Sequence, residues 1–189
     1  MLSKEQKIKI RQFAEEKIKH NDSTHRMPHI KETIKWALHF ANLENAGRDI
    51  CWASAMLHDI CKWEEEHGKN HGITGAETAA EYLTKLKLDK AFIEKVKDAI
   101  YYHDKPFEGG SKERQILWDA DKVQNELPAG FKKRMIPYWE ERADRKEAIR
   151  LAIDEYYFFY PLFHTESGKK EVAKNRKAME LLFRKLTAE

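Results

Sequence analysis

An all-α, single-domain helical bundle is what this 189-residue sequence predicts, and three observations carry the prediction. Apolar residues recur at helical spacings of three and four nearly everywhere. No run alternates apolar and polar residues as a half-buried strand does. With 41% hydrophobic and 11% aromatic residues the chain can bury one sizeable core, which predicts one domain over residues 1–189.

The elements follow in order. Ser3 and Gln6 form a capping-box pattern that opens a helix with Ile8, Ile10, Phe13 and Ile18 inward, ending near His20 and Asn21. Pro28, tolerated in a first turn, starts a second helix with Ile30, Ile34, Leu38 and Ala41 on one face. The third, from about Asp49 to Lys62, is apolar on nearly all sides and belongs at the bundle centre. Thr74 and Glu77 predict the start of a fourth, with Ala76, Ala79, Ala80, Leu83 and Leu86 packed closely. Asp89 caps the next, whose stripe runs Phe92, Val96, Ala99, Ile100 and, in register, His103. After the loop "DKPFEGGS" a helix from about Lys112 to Asn125 carries "ILWDADKV". The breaker "ELPAG" precedes a long helix from about Pro137 to Tyr160, and the last runs from near Thr165 to the C-terminus. There is no internal repeat or low-complexity tract.

Thirty-five basic and 32 acidic residues give a formal charge of +3, too small and too evenly mixed a surplus to argue for a nucleic-acid partner. No stretch approaches the ~18 apolar residues of a membrane span, and "MLSKEQKIKIRQF" has no apolar signal region, so a cytoplasmic location is expected. Cys51 and Cys61 would lie about 15 Å apart on one helix, too far for a disulfide, and read as small buried hydrophobes.

Residues 55–63, "AMLHDICKW", place an imidazole and a carboxylate at the end of an apolar run. Groups that can charge cost several kcal/mol to bury unless they are paired, hydrogen-bonded or bound to a metal. A structural His–Asp hydrogen bond and a metal ion are the two candidates. His29, His58, Asp59 and Asp121 come from three helices, most at positions the apolar stripes turn inward, with His71 and His103 as possible additions. Bundles build metal sites from such inward side chains on facing helices. Nitrogen and oxygen ligands without thiolate suit Mn, Fe, Co, Ni or Zn, and an ion so held lowers the pKa of bound water and polarises a phosphoryl oxygen.

The fragments "PHI", "LHDICK" and "DADKV" resemble, in this order, the H…HD…D signature of the HD-domain metal-dependent phosphohydrolases, over roughly residues 20–125. The resemblance implies His29, His58, Asp59 and Asp121 as ligands of one divalent metal, with residues 126–189 as a helical extension. The tail "FHTESGKKEVAKNRKAMELLFRKLTAE" is similar to the C-terminal helix of a small bacterial branch of predicted hydrolases. Lys62 stands where family members often carry a basic residue near the substrate phosphate, and a Lys there acts as a point charge. "HGITGAETA" and "AIYYHDK" resemble the segments that supply two histidines for a second iron in dinuclear members such as symmetrical diadenosine tetraphosphate hydrolases; His71 and His103 match. Several mononuclear relatives keep histidines near these positions to line the substrate pocket. The absence of "GYP" argues against the cyclic-di-GMP phosphodiesterases, and of "EDT" after "HD" against the alarmone hydrolases.

The implied activity is hydrolysis of a small phosphorylated molecule, a nucleotide above all. In it Asp59 serves the ion, and Lys62 and His103 steady the phosphate or protonate the leaving oxygen. With two ions, Asp59 would bridge them. A diiron oxygenase and a non-catalytic nucleotide-binding module are the alternatives. His25 reads as a rim or supporting residue, and Asp119 either accepts from a ligand imidazole or caps its neighbourhood. His67 and His71 are spaced as a zinc pair but sit in a Gly- and Asn-broken stretch that reads as loop. The aromatics of "IDEYYFFYPLF" are first of all core and only second a base-stacking surface. "FKKR" at 131–134 and "KK" at 169–170 are solvated faces or anion-attracting rims.

Overall fold

A computed structural model describes residues 1–63 and 70–188. Among the described residues it contains helices and turns and no strand. The helices are α1 (Lys4–Ile18), α2 (Met27–Leu43), α3 (Arg48–Leu57), α4 (His71–Lys85), α5 (Lys90–Tyr101) and α6 (Lys112–Lys122). After these come α7 (Pro128–Gly130), a π-helical turn (Phe131–Met135), α8 (Ile136–Glu140), α9 (Arg145–Phe159) and α10 (Glu166–Leu186).

Several caps read from the sequence act as such. Ser3 and Gln6 exchange both hydrogen bonds of a capping box, Asp89 accepts from the Phe92 amide, and Thr165 accepts from that of Gly168. Helix α3 sits at the centre, with Cys51, Ala53, Ala55 and Leu57 fully buried, and it packs against α1, α2, α5 and α6. Both cysteines are buried. A second apolar cluster, including Phe131, Ile149, Tyr156 and Phe183, joins the segments that follow α6.

Four expectations need correction. Ile8 is exposed, and α1 instead buries Ile10, Ala14 and Ile18. Helix α3 stops at Leu57 rather than near Lys62, because the Asp59 carbonyl accepts from the Asn21 side-chain amide at 3.0 Å and closes a tight turn with the Lys62 amide. Helix α4 begins at His71, not at Thr74: Asp104 accepts from the Gly72 amide at 3.1 Å, supplying the N-terminal acceptor that a side-chain cap otherwise provides. The long helix expected from Pro137 to Tyr160 is interrupted after Glu140, because Asp144 caps a new helix through the Glu147 amide at 3.1 Å. That Asp-x-x-Glu pattern was the available signal.

Gly130 stands where α7 meets the end of α6. A Cβ built on it would lie 1.8 Å from the Gln124 carbonyl oxygen. The obstacle is backbone, so Gly130→Ala is expected to cost about 1–3 kcal/mol, as other forced overpacking does. Urea unfolding reads this directly, and an unshifted midpoint would show that the turn yields freely.

Candidate metal centre

Helix α2 turns His29 inward one turn before Thr33; the end of α3 delivers His58 and Asp59; α6 delivers Asp121. The four meet. His29 Nε2 lies 3.1 Å from Asp121 Oδ1 and 3.4 Å from Asp59 Oδ2. His58 Nε2 lies 3.2 Å from Asp59 Oδ2 and 3.7 Å from Asp121 Oδ1. The other Asp59 oxygen, Oδ1, is 3.5 Å from Nε2 of both His71 and His103. All six residues are buried.

The tautomers are set by what lies behind each ring. His58 Nδ1 faces the Ala55 carbonyl at 2.9 Å and His103 Nδ1 the Ile100 carbonyl at 2.6 Å. A carbonyl oxygen only accepts, so both Nδ1 atoms carry the proton. His29 Nδ1 faces Gln124 Oε1 at 3.2 Å, and the Gln124 amide nitrogen donates to Thr33 Oγ1 at 2.8 Å, which fixes the oxygen toward the ring. His71 Nδ1 lies 3.4 Å from Asp104 Oδ2. Such partners behind a ring are the usual support of a metal-ligating histidine.

The consequence is a conflict that a cation resolves. His29 Nε2 and His58 Nε2 are 3.1 Å apart, and both are left with lone pairs if the rings are neutral. Asp59 Oδ2 is shielded from solvent yet accepts no hydrogen bond among the described residues, and His103 Nε2 likewise lacks a partner. Buried polar atoms without partners need an explanation. Either a proton or a metal ion must sit among them; His29, His58 and Asp121 form one group that could hold a metal, and His58, Asp59 and His103 another. The donor set fits a divalent transition metal.

With no metal, burial alone would drive the His58 imidazole down. The charges of Asp59 and Asp121 overcome this and raise it to about 10. Burial also opposes ionisation of both carboxylates, yet His58 and the other imidazoles hold Asp59, and Lys122 with His29 and His58 holds Asp121, well below the usual carboxylate range. His103 is pushed down to about 4 by burial and by its histidine neighbours.

The centre forms one wall of a pocket into which Lys62, Lys122 and Arg134 also open. Lys62 Nζ is 3.5 Å from His71 Nε2, and Lys122 pairs with Asp121. Arg134 bonds Gln124 Oε1 and Asn125 Oδ1, each at 3.2 Å. Of the two basic clusters, "FKKR" thus reaches the pocket through Arg134. His25 lines the same pocket, its ring edge-on to His29 at 5.7 Å.

Asp119 does not support an imidazole. It accepts from the His164 and Thr165 amides and from Thr165 Oγ1, at 2.9, 2.8 and 2.6 Å, and so ties the start of α10 to α6. His71 is the first residue of α4 rather than part of a loop, and His67 lies outside the described residues. Tyr156 is buried as core, but Tyr157 and Phe158 are exposed and Phe159 lines the pocket. Gln124, Asp104, Tyr138 and Glu155 were not singled out by motif; Gln124 falls three residues after Asp121 on the same helical face, which was a usable signal.

A buried cluster of two imidazoles and two carboxylates on facing helices, walled by basic residues, defines a helical bundle with a site that could hold a metal. Residues 26–126 match the family model of the HD domain, and the chain belongs to that family. Solved structures agree with the fold over nearly the whole chain. A predicted HD superfamily hydrolase from an uncultured Thermotogales bacterium is 23% identical, with 95% of this chain and 90% of that one covered and a TM-score of 0.69. An HD-superfamily hydrolase from Bacillus thuringiensis is 20% identical, with 97% and 96% covered and a TM-score of 0.75. Bacillus subtilis YpgQ, solved in complex with ADP, is 17% identical, with 94% and 93% covered and a TM-score of 0.73. No curated protein sequence matches the chain. Among the described residues no helix is long and apolar enough to cross a membrane.

Proposed function

We propose that the protein is a cytoplasmic, metal-dependent phosphohydrolase acting on a small phosphorylated molecule, a nucleotide above all. The observation that carries this reading is the convergence of imidazole Nε2 atoms and carboxylate oxygens beside a pocket walled by Lys62, Lys122 and Arg134. His29, His58, Asp59 and Asp121 would hold one divalent ion, Mn, Fe, Co, Ni or Zn. Such an ion acidifies a coordinated water and polarises a phosphoryl oxygen.

The chain's own groups do the rest. Lys62 presents a point charge to a phosphate oxygen, and Arg134 a planar pair of donors. Asp59 Oδ1, 3.5 Å from Nε2 of both His71 and His103, would let these three residues hold a second ion; with one ion only, His71, which lines the pocket, would contact phosphate, whereas His103, pushed down to about 4 and with its proton on Nδ1, has none on Nε2 to give a leaving oxygen. The core of about residues 20–125 supplies the centre and the extension of about 126–189 adds to the pocket, so both work as one domain in this reading. That a structure of the same fold holds ADP supports the choice of a nucleotide.

Asp121→Ala is expected to lower metal-dependent phosphate release at least about a hundredfold, since several kcal/mol of charge stabilisation depend on the ion. Assays of nucleotides and sugar phosphates with each candidate metal measure this. A variant with full metal-dependent activity refutes the assignment.

A further inference from the structure

The pocket does not end at its basic residues. Tyr138, Glu155 and Phe159 line both it and an adjoining open groove, whose other walls include Trp139, Leu151 and Phe158. Helix α9 makes this face because Leu151, Glu155 and Phe158 follow at spacings of four and three. Phe158 is 55% exposed, its ring edge-on to that of Phe159 at 5.0 Å. Trp139 Nε1 donates to Glu155 Oε2 at 2.8 Å and holds the carboxyl at the junction of pocket and groove. Burial raises the proton affinity of Glu155, against the Trp139 bond and the charges of Lys122, Lys62 and Arg134. A carboxyl whose ionisation is opposed in this way repels a phosphate less. Tyr138, Trp139, Leu151, Glu155, Phe158 and Phe159 all lie beyond residue 126, where the family match ends.

We propose that this groove is the leaving-group subsite, taking a nucleobase-sized aromatic heterocycle against Tyr138 and Phe158 while Glu155 hydrogen-bonds its edge. The geometry suits the ligand: a cationic pocket for phosphates opens sideways onto aromatic rings, and rings stack on any base face. The subsite rests on the phosphohydrolase reading for its role, but its occupancy can be measured alone.

The test uses the full chain loaded with Mn and two probes that share a phosphate chain, ATP and inorganic tripolyphosphate, with ADP binding followed by calorimetry. Phe158→Ala changes an exposed residue and spares the core. It and Glu155→Ala are each expected to weaken ADP binding about tenfold, the order of one lost base–aromatic stack. The preference in kcat/KM for ATP over tripolyphosphate should fall by a similar factor. Wild-type protein that hydrolyses neither probe counts against the phosphohydrolase reading, while ADP binding still decides the groove. ADP affinity and substrate preference unchanged in Phe158→Ala overturn the subsite and leave hydrolysis standing. A wild-type dimer that Phe158→Ala dissociates would assign the groove to a second copy, which also overturns it.

Discussion

Asp59→Asn is expected to strip the protein of its divalent metal and to cut metal-dependent hydrolysis about a thousandfold or more. Asp59 is the one side chain among the described residues that faces both histidine pairs: Oδ2 is 3.2 and 3.4 Å from His58 and His29, and Oδ1 is 3.5 Å from His71 and His103. Asn keeps the size but removes the charge, and its NH2 would compete for the same imidazole lone pairs. A thousandfold corresponds to about 4 kcal/mol of transition-state stabilisation, within reach of one Lewis acid. Elemental analysis of protein purified without chelators, with circular dichroism to confirm folding, decides the matter. A folded Asn variant with its full metal complement and turnover is incompatible with the proposed centre.

Metal affinity should rise steeply with pH. Without metal, the carboxylates of Asp59 and Asp121 keep a proton on His58, whose pKa is raised from 6.5 to about 10. Loading the site must expel that proton. One proton released per ion makes the apparent affinity rise about tenfold per pH unit between about 6.5 and 10, so a change from pH 6.5 to 8.5 is worth about a hundredfold. The linkage for the metal-free fold has the opposite sign. A raised imidazole contributes stability that is complete below 6.5 and disappears as pH climbs through 10, whereas Asp59, held below 3.8, contributes stability above that value that is lost on acidification. Calorimetric titrations in buffers of different ionisation enthalpy count the proton. Binding of Mn with no proton release at pH 7.5 would mean that His58 is already neutral.

The bundle was legible because helical periodicity is local. Ile30, Ala41, Val96 and Ile100 are buried where the stripes put them, and His103 continues the α5 stripe into the centre. Ile8 misled because an apolar stripe has edges, and the edge of α1 faces solvent. Thr74 and Glu77 misled because a capping-box pattern inside a helix is silent when another group, here Asp104, serves the N-terminus first. Asp119 had two readings until the start of α10, 45 residues on, supplied the donors that it caps.

Composition and periodicity, both properties of near neighbours, were sufficient for an all-α chain with an unexplained polar pair at the end of a helix that is apolar on nearly all sides. Which acids and imidazoles meet depends on how helices pack, and packing is a contest among distant surfaces that no short window contains. His29 and Gln124 are 95 residues apart yet share a hydrogen bond, and Glu155 reaches the pocket only because Asp144 breaks the chain and turns α9 back. The folded arrangement therefore supplied the partners behind the rings, the basic wall and the aromatic groove.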